Sequence, residues 1–233
     1  MDRYLRETVM LDYSSSAIQR LIVSRKWNEL PEFERIKAIY NFVRDEILFG
    51  YNVDDNISAS RVLSDGYGQC NTKGTLFMAL LRACGIPCRI HGFTIDKKLQ
   101  KGAMTGIVYK NAPQNVFHSW VEVLHNDKWF ELEAFILDKT YLEKLQQANS
   151  DCTGAFCGYG VAVRDFKSPV IDFNGNNTYI QSEGINRDFG VYDCPDDLLK
   201  EHGQEISPIK AFAYRHLGRH LMNRNVRKIR DLK

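Results

Sequence analysis

Two stretches of alternating character, Val116 to His125 and Lys128 to Glu133, meet at the dipeptide Asn126-Asp127. Both show the period-2 pattern of half-buried strands, and the dipeptide suits the two-residue turn that closes an antiparallel hairpin. A hairpin closed there fixes its own register. His125 opposes Lys128, Trp120 opposes Glu133, and His118 opposes Phe135. Alternation then puts His118, Trp120 and Glu133 on one face, and Phe117, Val121 and Val123 on the other. Glu133 becomes a diagonal neighbour of His118, about 7–8 Å away between backbones and within reach of a long side chain. The chain must therefore build an antiparallel sheet, and that sheet brings an acid to an imidazole.

A third chemical group precedes this hairpin. Gly66-Tyr67-Gly68-Gln69-Cys70-Asn71-Thr72-Lys73 is a glycine-punctuated turn running into an apolar helix, Gly74 to Cys84. A thiol at a helix N-terminus meets unpaired backbone N–H groups and the positive end of the helix dipole, and both favour a thiolate. Cys70 sits where a nucleophile would be placed, and a Cys, then His118, then the acid Glu133 is the order of parts a thiol acyl-transfer site needs.

The remaining pattern is that of a mixed helical and strand domain. Ser14 to Trp27 reads as a helix with Ile18, Leu21 and Ile22 as its buried stripe, and a second helix starts at Pro31 with Phe33, Ile36, Tyr40, Val43 and Ile47 facing inward. Asn52 to Ser58 reads as loop, Ser60 to Leu63 as a helical turn, and Arg89 to Thr94 as a strand. Residues 97–104 read as a mobile loop, and Gly106 to Tyr109, Val161 to Val163 and Thr178 to Gln181 as further short strands. Ser207 is placed to cap a last helix from Pro208, with Ile209, Phe212, Ala213, Leu217, Leu221 and Val226 as its apolar stripe. The opposite side of that helix carries Lys210, Arg215, Arg219, Arg224, Arg227, Lys228 and Arg230, read as a solvated face.

Composition narrows the function classes. A net charge of +2 on 233 residues gives no strong global attraction to nucleic acid or an anionic membrane. No apolar run approaches the roughly 20 residues of a spanning helix, and the first residues lack a signal-peptide core, so the expected address is cytoplasmic. Six cysteines in a chain this long do not make a disulfide scaffold. Cys84/Cys88 and Cys152/Cys157 lack the two-residue spacing of a zinc half-site, so no metal or cofactor is expected, although a zinc module remains the alternative for these cysteines. Arg82, Arg89 and Trp129 read as structural, Glu122 as a surface or helper residue, and His91 and His125 carry no assigned role.

Taken together, several ordered motifs between Pro31 and about Asp138 resemble the transglutaminase-like superfamily, a branch of the papain-like thiol enzymes. They are the helix Glu34 to Ile47, Gly68-Gln69-Cys70, the run Leu80 to Arg89 with its Gly85-Ile86-Pro87 stop, His118 to Val123, and Trp129 followed four residues later by an acid. The resemblance implies an α+β fold with the Cys-bearing helix packed on an antiparallel sheet. It implies a core over residues 1–149 and a C-terminal extension over 150–233, wrapping the core, to which no function transfers. It implies Cys70 as nucleophile, His118 as base and Glu133 as orienting acid, where the family more often has Asp. Backbone N–H groups of Cys70 and Asn71, with the side chain of Gln69 or Tyr67, would bind the oxyanion, and Trp120 would wall the cleft. The implied substrate is a peptide or protein amide, attacked through a thioester. Hydrolysis is favoured. Transamidation, or an inactive peptide-binding module of the same fold, is the alternative.

Overall fold

The computed structural model describes residues 2–204 and 206–232. In chain order, α1 (Ser16–Arg25) and α2 (Glu32–Asp45) precede the short strand β1 (Leu48–Phe49), α3 (Ala59–Asp65) and β2 (Tyr67–Gly68). Then come α4 (Cys70–Ala83), β3 (Cys88–Asp96), α5 (Gly106–Asn111), β4 (Asn115–His125) and β5 (Lys128–Leu132). The rest carries α6 (Lys139–Ala148), β6 (Phe156–Gly158), β7 (Val161–Val163), β8 (Ile185–Tyr192), α7 (Pro195–Glu201), α8 (Pro208–Ala213) and α9 (Arg219–Arg230). None of the described helices is long and apolar enough to cross a membrane.

The fold is α+β. An antiparallel sheet runs in the order β5-β4-β3-β8, and α4 packs on it. The hairpin turn has Asn126 and Asp127 both left-handed, at φ 49° and 58°. Its register runs from His125 opposite Lys128 to Val121 opposite Leu132. The face bearing Phe117, Val121 and Val123 is buried with α4, whose residues Cys70 to Arg82 are all buried. From Leu76 to Leu81 α4 is apolar without interruption and so has no solvent face there, which is why it lies at the centre; its polar residues Asn71, Thr72, Lys73 and Arg82 are buried with hydrogen-bond partners. Beneath it, Tyr40, Phe77, Phe135 and Phe173 form an aromatic cluster with ring centres 5.0–6.3 Å apart.

Several segments depart from the sequence expectation. Gly106 to Tyr109 lies within α5, not a strand; its backbone closes local helical bonds, Tyr109 N to Thr105 O (3.3 Å) and Ala112 N to Val108 O (3.0 Å), instead of pairing with the sheet. Residues 97–104 are tied down: Leu99 and Gln100 are buried, and Gly160 N and Tyr159 N donate to Leu99 O (2.9 Å) and Lys101 O (2.8 Å). Thr178 to Gln181 forms no strand, only a bridge from Thr178 to Leu132. The last helix is interrupted by a π turn, Tyr214–Gly218, which rotates its phase. Gly218, Met222 and Val226 therefore face inward, while Ile209, Phe212 and Leu217 are exposed.

Two charged residues of that helix are engaged in ion pairs, Arg215 while still exposed and Arg230 drawn inward. Arg215 pairs with Asp54, and Arg230 with the buried Asp138. Glu122, read from sequence as a surface or helper residue, is buried. It accepts from Arg89 Nε (2.6 Å) and pairs with His91 Nδ1 (3.0 Å), and His91 Nε2 meets Asp188 (2.8 Å).

Candidate active site

Local chemistry explains why α4 begins where it does. Gly66 ends α3 in the left-handed region at φ 70°, and β2 then pairs in parallel with β1. Gln69 is extended, and its N–H donates to Thr72 Oγ1 (3.1 Å), half of a capping arrangement. Thr72 Oγ1 in turn donates to Asn52 Oδ1 (2.6 Å). A Cβ on Gly68 would lie 2.6 Å from Thr72 Oγ1 and 3.0 Å from Lys73 Cγ, so this position admits no side chain. The result is Cys70 in the first turn of a 14-residue helix, where its N–H and that of Asn71 have no intrahelical acceptor.

The imidazole and the acid come together as the hairpin register requires. His118 Nε2 lies 2.7 Å from Glu133 Oε1, and both side chains are fully buried. Glu133 sits just past the end of β5, and its second oxygen accepts from Ile180 N (2.7 Å) and Gln181 N (2.8 Å). Within Thr178–Gln181, Thr178 makes the bridge to β5, and the N–H groups of Ile180 and Gln181 are spent on this carboxylate rather than on a neighbouring strand. His118 Nδ1 is buried and has no hydrogen-bond partner of its own. Burial pulls the imidazole down. The proximity of Cys70, followed by that of Glu133, outweighs that effect and pushes His118 up to about 10. Nδ1 is thus the nitrogen left for the sulfur.

The other sequence candidates divide. Asn71 is buried, and its side-chain oxygen accepts from Ser119 Oγ (2.8 Å), fastening the start of α4 to β4. The Gln69 amide is engaged at both ends, accepting from Asn52 N (2.9 Å) and donating to Asp55 (2.8 Å), so it holds loop 52–55. Trp120 packs between Phe93 and Tyr179, with ring centres 4.1 and 5.7 Å away, and walls the imidazole–acid pair from within the fold. Tyr67 is not brought to Cys70: its ring lines a groove with Leu48, Gly50, Arg219, Asn223 and Arg227.

Three contributors carry no sequence signal. The N–H groups of Ile180 and Gln181 are backbone and have no signature. Tyr51 is buried, and its hydroxyl donates to Gln100 Oε1 (2.7 Å). Burial, then the charges of Tyr141, Tyr214 and Cys70, push this phenol well above its ordinary value. Under α4, Lys73 Nζ donates to the carbonyls of Arg44 (3.1 Å) and Ile136 (2.9 Å), and burial lowers it to about 7 against the opposing pull of Asp138.

Residues 21–134, which contain the whole set Cys70, His118 and Glu133, match the Transglutaminase-like superfamily. The chain carries a transglutaminase-like domain. An uncharacterized Bacillus subtilis protein, YebA, is 23% identical over 142 residues, covering 57% of this chain and 19% of its own length. Among solved structures, a proposed cysteine protease from Cytophaga hutchinsonii aligns with 83% of this chain and 47% of its own, at 14% identity and a TM-score of 0.46. Red sea bream transglutaminase aligns with 53% of this chain and 25% of its own, at 19% identity and a TM-score of 0.32. The chain thus spans about a fifth of the Bacillus relative and less than half of either solved chain. Glu133 lies at the end of the matched segment, and the residues whose N–H groups hold its carboxylate, Ile180 and Gln181, lie beyond it.

Proposed function

We propose that the protein is a cysteine-dependent acyl-transfer enzyme that hydrolyses a peptide or amide through a thioester on Cys70. The carrying observation is the fully buried 2.7 Å pair of His118 Nε2 and Glu133, with Nδ1 left unpartnered for the sulfur. His118 lies well above its ordinary value, which supports an imidazolium able to donate a proton at neutral pH. In the proposed reaction Cys70 Sγ bonds to the carbonyl carbon, and the carbonyl oxygen takes the charge against the N–H groups of Cys70 and Asn71. His118 then gives its Nδ1 proton to the departing amine as the C–N bond breaks. Water attacks the thioester, His118 recovers a proton from it, and the acid leaves with the thiol restored as thiolate. Glu133 keeps the proton on Nε2 throughout.

An amine in place of water gives transamidation with the same residues. Water is favoured because it needs no acceptor pocket. The test is the pH dependence of Cys70 alkylation by iodoacetamide, with His118→Ala for comparison, followed by a peptide screen with and without an added primary amine. Selective labelling of Cys70 well below pH 8, slowed in His118→Ala, supports the enzyme. Labelling no faster than at the other five cysteines replaces it with an inactive peptide-binding module.

A further inference from the structure

A peptide cannot reach the sulfur in this arrangement. Cys70 is 9% exposed, and His118 and Glu133 are fully buried. Two segments meet beside the thiol. The first, residues 50–58, contributes Tyr51 and also Asp55, which holds Gln69 next to Cys70. The second, residues 97–105, contributes Gln100, and the Tyr51–Gln100 hydrogen bond joins the two. The C-terminal helical segment ties both from outside. Asn223 makes two bonds to the backbone of Tyr51, accepting from its N–H (2.7 Å) and donating to its carbonyl (3.0 Å). Two residues on, Asn225 Nδ2 donates to Ala103 O (3.2 Å) and Thr105 Oγ1 (2.9 Å). Tyr214 Oη donates to Asn52 O (2.9 Å), and Arg215 pairs with Asp54.

We infer that the segment from Ser207 to Arg230 is a strap that holds the two lips of the Cys70 site together, and that its release admits the substrate. The inference rests on the enzyme reading above and names a regulation of that same site. The strap's hold is mainly polar and local. Met222 and Val226 are its buried apolar residues among those described, whereas Ile209, Phe212 and Leu217 stand in solvent. A π turn interrupts it at Tyr214–Gly218; Tyr214 within that turn makes the contact to Asn52, and the contacts to Tyr51 and Ala103 follow it. Beyond Met222, Val226 and the anchor of Arg230 on Asp138 at its end, the segment is held by side chains bonded to the two lips.

The test uses the full chain with Asn223→Ala, Asn225→Ala and the double variant, and reads iodoacetamide labelling of each cysteine by mass spectrometry. A net hydrogen bond corresponds to roughly a five- to tenfold change in an opening equilibrium. Labelling of Cys70 should therefore rise about tenfold in Asn223→Ala, less in Asn225→Ala and most in the double variant. Cys84 and Cys88, buried in the core, should stay unlabelled. An unchanged Cys70 rate overturns the strap. A parallel rise at Cys84 and Cys88 also overturns it, because the segment would then be inseparable from the fold. Adding His118→Ala to the double variant separates the two ideas: a Cys70 that opens but ignores the loss of His118 keeps the strap and refutes the enzyme.

Discussion

Replacing Glu133 by Gln tests the acid at its most constrained point. One carboxylate oxygen faces His118 Nε2 at 2.7 Å, and the other accepts two backbone N–H groups at 2.7 and 2.8 Å. Every neighbour is a donor, and an amide has only one accepting end. With its oxygen turned to His118, its NH2 faces two N–H groups. With its oxygen turned to Ile180 and Gln181, its NH2 forces His118 to accept at Nε2 and to abandon the imidazolium. A charge-assisted hydrogen bond is worth roughly 1.5–3 kcal/mol, so the ion-pair population should fall about ten- to a hundredfold. Orphaned donors add a stability loss of about 2–4 kcal/mol, or roughly 5–15 °C in Tm at this chain length. The sign with pH follows from His118, which is raised in the folded state to about 10. Its contribution is complete below the ordinary histidine value and is lost as pH rises toward 10, so the stability gap between wild type and variant should narrow over that interval. Iodoacetamide labelling of Cys70 and thermal unfolding, both between pH 6 and 10, read these effects. Equal labelling and a Tm within a degree of wild type would remove Glu133 from the site. Glu133→Asp should fall between the two, because an arm one methylene shorter cannot reach His118 and both N–H groups at once.

Three further outcomes follow from the surroundings of the site. Lys73 is lowered to about 7 by burial, so its own contribution should rise from about pH 7 toward pH 10, where only the unfolded chain still holds the proton, opposing the loss at His118; Lys73→Met should make the stability of the chain fall more steeply with pH over that interval in denaturant titrations. Gly68→Ala drives a Cβ into Thr72 Oγ1, already bonded to Asn52, and should cost about 1–3 kcal/mol while slowing Cys70 labelling, both read on the purified variant. Burial raises the Asp138 carboxyl, but Arg230 more than offsets this and holds it below its ordinary range. Arg230→Ala should therefore cost about 3 kcal/mol at pH 7 and weaken the loss of stability that wild type shows as pH falls through the acid range, as measured by urea unfolding at several pH values.

The parts of the site written in local pattern were legible. Alternation and a two-residue turn were enough to put His118 and Glu133 on one face in the register later found, and Gly-Tyr-Gly ahead of an apolar helix located Cys70 in its first turn. What escaped depends on contacts between segments far apart in sequence. Ile180 and Gln181 act through backbone N–H groups, which any residue supplies. Tyr51 and Gln100 meet across 49 positions. The last helix misled because a stripe was counted at one phase, and a π turn changes the phase in the middle. Glu122 read as a surface or helper residue for a similar reason: its partners Arg89 and His91 lie on the neighbouring strand, and Asp188 lies on the strand beyond.

Glu133 and the chain beyond residue 150 together solve one geometric problem. The ladder of β4 and β5 ends at Leu132, and Glu133 leaves it with φ −119° and ψ −37°. Its backbone N–H is taken by Thr178 O at 3.0 Å, so the Cα is fixed by the same segment whose Ile180 and Gln181 N–H groups bind the carboxylate. An acid placed diagonally from His118 needs reach, and reach brings rotamer freedom that a catalytic group must lose. The extra methylene supplies the reach, and Ile180 and Gln181 remove the freedom. The two features are expected to stand or fall together, since a shorter acid would leave those N–H groups unpaired and a Glu without them would be free to turn away from the imidazole.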